Sequence, residues 1–507
     1  MRKGLLLTAI FALILTVIAC EDDDSGIPEN VLKNREITIT SELVSSNFVG
    51  NGAQWGGYDM VPTWLGTQTL SDADWATLFE RIDYMRPPFL RIMTTAEWSY
   101  DDGGDYNETK KTVSLFKMLD YAQSRNIEIT YGEWGHHYTD GNISNINMEW
   151  IANSVKFLNH LVNEKGYTCI KTINIINEPN GDWSSAQGSY DVYKNVQELY
   201  IAEMAKYELS SVKLMGPDVA IFDNTNETTW ITKTAEDLGE HVGLYDIHVY
   251  PKQQIVRNGD YTSMLQAYRD ATPSDKRIVL GEVGFKYTEV DADLKERNEA
   301  AIEADPYAGY DSNMMIYEAF YGVDMADAII QSMRAGFSGA LVWDMDDAMY
   351  NSPDNGDYQT DKLKRWGFWN ILGEEHCGTP EGEEIRPFFY TVSLLCRYFP
   401  AGCNIYNIEL PEKKGVRAIM AEKDGKYTIA VVNSHYVSYP IVLKADNMAN
   451  ATLDKYSYQS NADGSFIGTV DEKGFATPLE KSVNLDFASG VELTLEGESF
   501  ILYTNMD

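Results

Sequence analysis

The chain is short of cysteine, of positive charge and of apolar runs long enough to cross a membrane. Five Cys occur among 507 residues, and no two form a C-x-x-C pair, so a zinc or dithiol-redox site lacks its usual ligands. Lys and Arg number 41 against 77 Asp and Glu, a formal charge of −36. Such an excess repels phosphate backbones and anionic lipid faces, which excludes nucleic acid as a partner and the bilayer surface as a charge-driven one. The longest apolar run, Leu5–Ala19, has fifteen residues, where a spanning helix needs about 20. No G-x-G-x-x-G follows a strand-like run and no Lys stands out at a strand end, so dinucleotide and Schiff-base chemistry lack support. Internal repeats are missing, and so is any Pro-rich or Gly/Ser-rich linker.

What is there is an ordinary globular composition, 44% hydrophobic and 23% charged, with aromatics at 12%. The length suits two or three domains. Arg2 and Lys3 precede the apolar run, as in an export signal. It ends in Val17-Ile18-Ala19-Cys20, which resembles the bacterial lipobox, with Cys20 as the acylated residue. The acidic stretch Glu21-Asp22-Asp23-Asp24-Ser25-Gly26 resembles the surface-export tag of Bacteroidetes-type lipoproteins. The expectation is a signal peptide at 1–19, an acidic tether at 20–35, and a body held by lipid at the outer membrane and facing outward. A plain cleaved secretory signal is the alternative. Export permits disulfides, and Cys169, Cys377, Cys396 and Cys403 allow three full pairings, none preferred. Cys169 precedes a buried-looking strand and suits a small core residue.

From residue 36 to 390, apolar or β-branched runs alternate with amphipathic stretches. Strands are predicted at Phe48–Gln54, Phe89–Met93, Ile127–Glu133, Thr172–Asn177, Lys213–Pro217, Leu244–Val249, Arg277–Glu282 and Gly339–Trp343. Helices are predicted at Asp72–Tyr84, Val113–Ser124, Met148–Glu164, Tyr190–Leu209 and Tyr317–Ala335. Eight such units predict a (β/α)8 barrel, with a doubly wound open sheet as competitor. Beyond about Phe388 the texture becomes β-branched and turn-rich, predicting an appended antiparallel β-sandwich over 391–507. An early strand, Glu36–Glu42, is a further candidate for that sandwich.

In a barrel of this kind, functional groups collect where strands end at the mouth. The fourth predicted strand runs into Ile175-Ile176-Asn177-Glu178-Pro179 and the seventh into Val279-Leu280-Gly281-Glu282-Val283-Gly284. One acid at one strand end would be a solvated loop residue; two at two mouths suggest a pair. With these residues the chain resembles the clan A glycoside hydrolases, retaining (β/α)8 glycosidases, over roughly Ile37 to Tyr503. The resemblance carries Glu178 to the acid/base position and Glu282 to the nucleophile. Arg91 in Phe89-Leu90-Arg91-Ile92 matches an Arg that holds the nucleophile, and His248 and Tyr250 match a strand-six His-x-Tyr. Trp343 matches the Trp flooring the sugar site. Asn177 would donate to a sugar 2-hydroxyl, while Glu133, Trp134 and His136 would shape the substrate subsite.

The resemblance implies double displacement on a β-linked glycan through a glycosyl-enzyme intermediate, with no cofactor. Placement at the cell surface points to endo action, and a monomer is expected. An exo-acting glycosidase or arabinofuranosidase of the same clan, and a non-catalytic glycan-binding lipoprotein, are the alternatives. Glu178 should start protonated, its pKa raised by the charge of Glu282 and by burial. Trp55, Trp98, Trp134 and Trp183 follow strand ends and are candidate sugar platforms. The acids after strand eight (Asp344, Asp346, Asp347, Asp354, Asp357) lack an EF-hand's closing Glu, so a solvated acidic loop is expected and no metal.

Overall fold

The computed structural model describes residues 34–58, 69–94, 112–135, 137–349, 362–445, 448 and 450–507. Within these, β1 (Glu36–Ser45) precedes eight parallel strands: β2 (Gly52–Ala53), β3 (Phe89–Thr94), β4 (Glu128–Glu133), β5 (Ile170–Asn174), β6 (Lys213–Ile221), β7 (Val242–Val249), β8 (Ile278–Val283) and β9 (Ala340–Val342). They pair in the order β2-β9-β8-β7-β6-β5-β4-β3. A parallel bridge between Gln54 and Arg91, with the Trp55 N–H on the Arg91 carbonyl at 2.6 Å, brings the two ends together. The fold is therefore the expected (β/α)8 barrel, and the fourth and seventh barrel strands are β5 and β8.

Side chains alternate across each strand, so every second residue enters the barrel. Val49, Phe89, Met215, Leu244, Val279 and Leu341 make one buried apolar layer. Two residues further along their strands the interior turns polar, with Arg91 after Phe89 and Asp246 after Leu244, then His248. The barrel thus rests on hydrocarbon and opens on charge.

The surrounding helices follow their sequence signals. Ser71 caps the helix Asp72–Met85 in a capping box with Asp74, and the 3–4 spacing of Trp75, Leu78, Ile82 and Met85 buries one face. Met148–Glu164 divides: an α-helix, Met148–Asn159, continues as a π-helical turn, His160–Glu164, where Lys165 N–H bonds the His160 carbonyl at 2.8 Å. The helix Phe388–Arg397 packs on Asp72–Met85 and on Ala319–Arg334, so the boundary drawn at residue 390 falls inside an element of the barrel's outer ring.

The second sheet is formed by β1 with β10 (Asn404–Glu409), β11 (Val416–Lys423), β12 (Lys426–Asn433), β13 (Tyr439–Ala445), β14 (Asn450–Ser460), β15 (Phe466–Gly468), β16 (Glu480–Asp486), β17 (Val491–Leu495) and β18 (Ser499–Thr504). It is one continuous ten-stranded sheet over its own core, Ile37, Ile408, Ile429, Leu443 and Ile501 among others. It is mixed rather than antiparallel, because β1 runs parallel to β13. Ala319–Arg334 lies against it, buried from Ala319 to Met333. Asp327 accepts from Ser434 at 2.6 Å and pairs with Arg417 at 3.3 Å, which locks barrel and sheet together.

Two expectations change. Asp344, Asp346 and Asp347 are fully buried, not solvated. Asp346 accepts from Tyr58 (2.8 Å), Trp369 (3.0 Å) and the Ala348 and Ile371 amides, while Asp347 pairs with Arg386 and accepts the Trp366 and Gly367 amides. Asp354 and Asp357 lie outside the described residues. Cys169, Cys377, Cys396 and Cys403 are all free thiols.

Candidate active site

Glu178 stands four residues beyond β5 with a left-handed backbone (φ 48°), and Asp218, within β6, has φ 61°. Non-glycine residues adopt that region at a cost, and such strain collects at functional sites. Here Glu178 N–H reaches the Asp218 carboxylate at 3.3 Å, tying the backbone after β5 to a side chain of β6. A register shift between β7 and β8 pairs Ile247 with Leu280 but His248 with Glu282. Gly281 is the extra residue, and the bulge aims Glu282 at the mouth. It has to be small, because a Cβ there would lie 2.4 Å from Asp246 Oδ2 and 3.0 Å from the His248 ring.

One oxygen each of Glu178 and Glu282 and a nitrogen of His248 lie within 4.8 Å of one another. Arg91 Nη1 donates to Glu282 Oε1 at 2.5 Å and to Gln54 at 3.3 Å; Nη2 reaches Asn177 Oδ1 at 2.9 Å and Asp218 at 3.3 Å. Tyr250 donates to Glu282 Oε2 at 2.7 Å. Trp183 Nε1 donates to Glu178 Oε2 at 2.9 Å, and His248 Nδ1 lies 3.2 Å from Glu178 Oε1. Below them His248 Nε2 lies 2.9 Å from Asp218 Oδ1 and 3.7 Å from Asp246 Oδ2.

The electrostatics are set by burial against pairing. Burial acts against a charged His248, yet Asp218 and Glu282 outweigh it and lift the imidazole well above its ordinary range. Burial likewise acts to raise Asp218, but His248 and Arg91 hold it below the usual carboxylate range. Burial and then the charge of Asp218 push Asp246 well up. Glu178 departs from expectation: burial acts to raise it, but the hydrogen bond and charge of His248 prevail and leave it below the usual range. Burial and the charge of Glu282 raise Tyr250, so it stays a donor.

Of the predicted residues, Glu178, Glu282, Arg91, Asn177, His248 and Tyr250 are brought into one network. Trp343 is half-buried, with its ring 6.1 Å from Trp134 in an edge contact. Glu133 does not join them. Thr130 meets Thr172 in the barrel interior, so the alternate residue Glu133 faces the helices, accepting from Ser154 at 2.5 Å and Tyr138 at 3.0 Å. Trp55 is fully buried and bonds Tyr58, which corrects its expected role as a platform. Cys20, Trp98 and His136 lie outside the described residues.

Sequence reasoning missed Gln54, Asp246 and the part played by Asp218. The i, i+2 spacing of Asp246 and His248 was the available signal, since it puts both inside the barrel. It also missed Phe222, exposed at the end of β6 with its ring 6.1 Å from that of the exposed Trp183. Among the described residues, carboxylate and imidazole groups converge in two overlapping trios, Glu178–His248–Glu282 and Asp218–Asp246–His248. The Arg91 guanidinium bonds one carboxylate of each trio, Glu282 and Asp218.

No protein-family model matches the chain, and no curated protein matches it. Solved structures do match in fold. The chain is similar to a GH30 endoxylanase from Clostridium papyrosolvens, with TM-score 0.59, 14% identity and coverage of 92% of this chain and 99% of that one. It is similar to an alpha-L-arabinofuranosidase from Thermotoga maritima, with TM-score 0.62, 13% identity and coverage of 93% and 99%. It is also similar to an endo-beta1,6-glucanase, with TM-score 0.59, 14% identity and coverage of 93% and 94%. At such identities the likeness is one of fold, a barrel carrying a β domain.

Proposed function

We propose that the protein is a retaining glycoside hydrolase, endo-acting on a β-linked polysaccharide. The observation that carries this reading is that an oxygen of Glu178 and an oxygen of Glu282 come within 4.8 Å of each other at the barrel mouth. Carboxyl groups about 5–5.5 Å apart suit double displacement, whereas inverting enzymes leave about 6.5–9.5 Å for a water. The fold neighbours, named for endoxylanase, arabinofuranosidase and endo-glucanase activity, support a glycosidase in general.

In this reading Glu282 attacks the anomeric carbon. Arg91 and Tyr250 each donate to one of its oxygens, which fixes its aim. Glu178 protonates the departing oxygen, then takes a proton from the water that opens the glycosyl ester. Asn177 gives its carbonyl to Arg91, which leaves its amide N–H groups free to donate to a sugar hydroxyl. Trp183 and Phe222 stand exposed beside Glu178, on the side where the leaving group must lie. An aromatic platform there suits a chain continuing past the scissile bond, which favours endo action. Cys20 would carry the lipid that holds this body at the cell surface, and Cys20→Ala should then release the protein from the membrane fraction.

The test is product release from a panel of β-glucans, galactans, xylans, mannans and arabinans, beside Glu282→Gln. Oligosaccharides from one glycan with the wild type and none with the variant support the reading. Binding without release by either protein would leave a glycan-binding protein.

A further inference from the structure

We propose that Asp246, Asp218 and His248 form a buried proton store beneath the carboxylate pair. Asp246 is the neutral acid, Asp218 the anion, and His248 the imidazolium whose Nδ1 proton is handed to Glu178. This rests on the hydrolase reading above.

Asp246 is fully buried. Its Oδ1 accepts the Asp218 amide at 3.0 Å, while its Oδ2 has no hydrogen-bond partner among the described residues. One oxygen of each Asp and a nitrogen of His248 lie within 4.8 Å of one another. Two buried carboxylates so close do not both ionise, and an ionised oxygen without a donor is expensive to bury. One proton therefore sits in the pair. Asp218 already has the donors, Arg91 at 3.3 Å, His248 Nε2 at 2.9 Å and Glu178 N–H at 3.3 Å, so the proton belongs to Asp246. Gly281 packs against that oxygen, where a Cβ would lie only 2.4 Å away.

With Asp218 anionic, His248 Nε2 donates. Its Nδ1 faces only acceptors, Glu178 Oε1 at 3.2 Å and Glu282 Oε1 at 3.5 Å. A lone pair there would repel both, so a proton lies between Nδ1 and Glu178. The groups around the ring are Glu178 from the loop after β5, Asp218 from β6, Asp246 from β7 and Glu282 from β8. Arg91 from β3 bonds Asp218 and Glu282, Tyr250 bonds Glu282, and Lys286 acts on Glu178 from beyond.

The transfers balance. The Nδ1 proton of His248 passes to Glu178 and from it to the leaving oxygen, which keeps the electron pair of its broken bond to the anomeric carbon. A Glu282 oxygen bonds that carbon, and a neutral imidazole and a Glu178 carboxylate are left. When water opens the ester, its oxygen bonds the anomeric carbon and the Glu282 oxygen recovers its electron pair. The water proton returns through Glu178 to His248.

The test is ¹⁵N NMR of the imidazole rings. The protein has seven His, and the His248 signal is the one lost in His248→Gln. The expected result is a doubly protonated ring at pH 7, with a midpoint at least about one unit above the ordinary value near 6.5. Asp218→Asn should lower that midpoint by at least about one unit, because it removes the anion favouring the cation. Asp246→Asn should leave it within about 0.3 units, because a neutral donor replaces a neutral donor. The alkaline limb of kcat/KM should move with the midpoint, which a merely structural loss in Asp218→Asn would not produce.

A neutral His248 at pH 7, or an Asp246→Asn shift as large as that of Asp218→Asn, overturns the store. If Asp218→Asn does not fold, the wild-type titration decides alone. A doubly protonated His248 in a protein that cleaves no glycan would uphold the store and sink the hydrolase reading. Hydrolysis with a neutral His248 would do the reverse.

Discussion

Arg91 and Glu282, 191 positions apart in the chain, meet at 2.5 Å with side chains 0% and 5% exposed. The contact spans the barrel mouth from β3 to β8, and the same guanidinium also holds Asn177 and Asp218. With Gln54 also accepting from it at 3.3 Å, a single cation organises four acidic or amide groups, each from a different strand or strand end.

Removing that cation should be costly for the whole fold. Arg91→Met leaves Glu282 and Asp218 as buried anions, and breaking such a pair destabilises by about 3–5 kcal/mol. Urea unfolding should show a lower midpoint at an unchanged slope. A loss below about 1 kcal/mol would mean that the carboxylates find other partners.

Glu178 should matter in proportion to the help its leaving group needs. Glu178→Gln should slow polysaccharide cleavage by about 10²–10⁴-fold. Attack on an aryl glycoside with an acidic phenol should suffer far less, since that phenol departs without a proton. Comparison of the two substrates checks this, and equal losses on both would remove Glu178 from the acid role.

Phe222 should act on long substrates only, whereas Trp183, which also donates to Glu178, should act on both. Each change to Ala should raise KM for the polymer about 2–10-fold, the size of a stacking contact of about 0.5–1.5 kcal/mol. KM for a short aryl glycoside should change little with Phe222→Ala, because its leaving group does not reach that ring. Equal effects of Phe222→Ala on both substrates would place the platform elsewhere.

The thiols offer a check on the packing. Cys169, Cys396 and Cys403 are buried and Cys377 is half-buried. Burial pushes Cys169 up to about 11 and Cys403 up to about 12, so neither forms thiolate at neutral pH. Ellman titration of these four should find at most Cys377 in the native protein and all four after unfolding. Fewer than four after unfolding without reductant would reveal a disulfide.

Much of this arrangement was legible in the sequence because strands carry a local signal. The runs Phe89–Met93 and Arg277–Glu282 fall within a residue or so of β3 and β8, and an acid ending such a run stands out. What the sequence could not display was the partner of each acid. Asp347 looks solvated until Arg386, 39 positions on, closes over it. Glu133 closes an apolar run in the sequence much as Glu178 and Glu282 do, but the alternation from Thr130 turns it outward. The parallel pairing of β1 with β13 joins residues about 400 positions apart, beyond the reach of any local pattern. The protonation of Glu178 depends on His248 and Asp218, and so on a network that only the closed barrel assembles.

The most direct measurement of the central claim is trapping of the covalent intermediate. The protein would be incubated with a 2-deoxy-2-fluoro aryl glycoside of the sugar found in the panel, digested, and sequenced by mass spectrometry. The account predicts one fluoroglycosyl group, esterified to Glu282 and absent in Glu282→Gln. Hydrolysis without any adduct, or an adduct on another carboxylate, would contradict it.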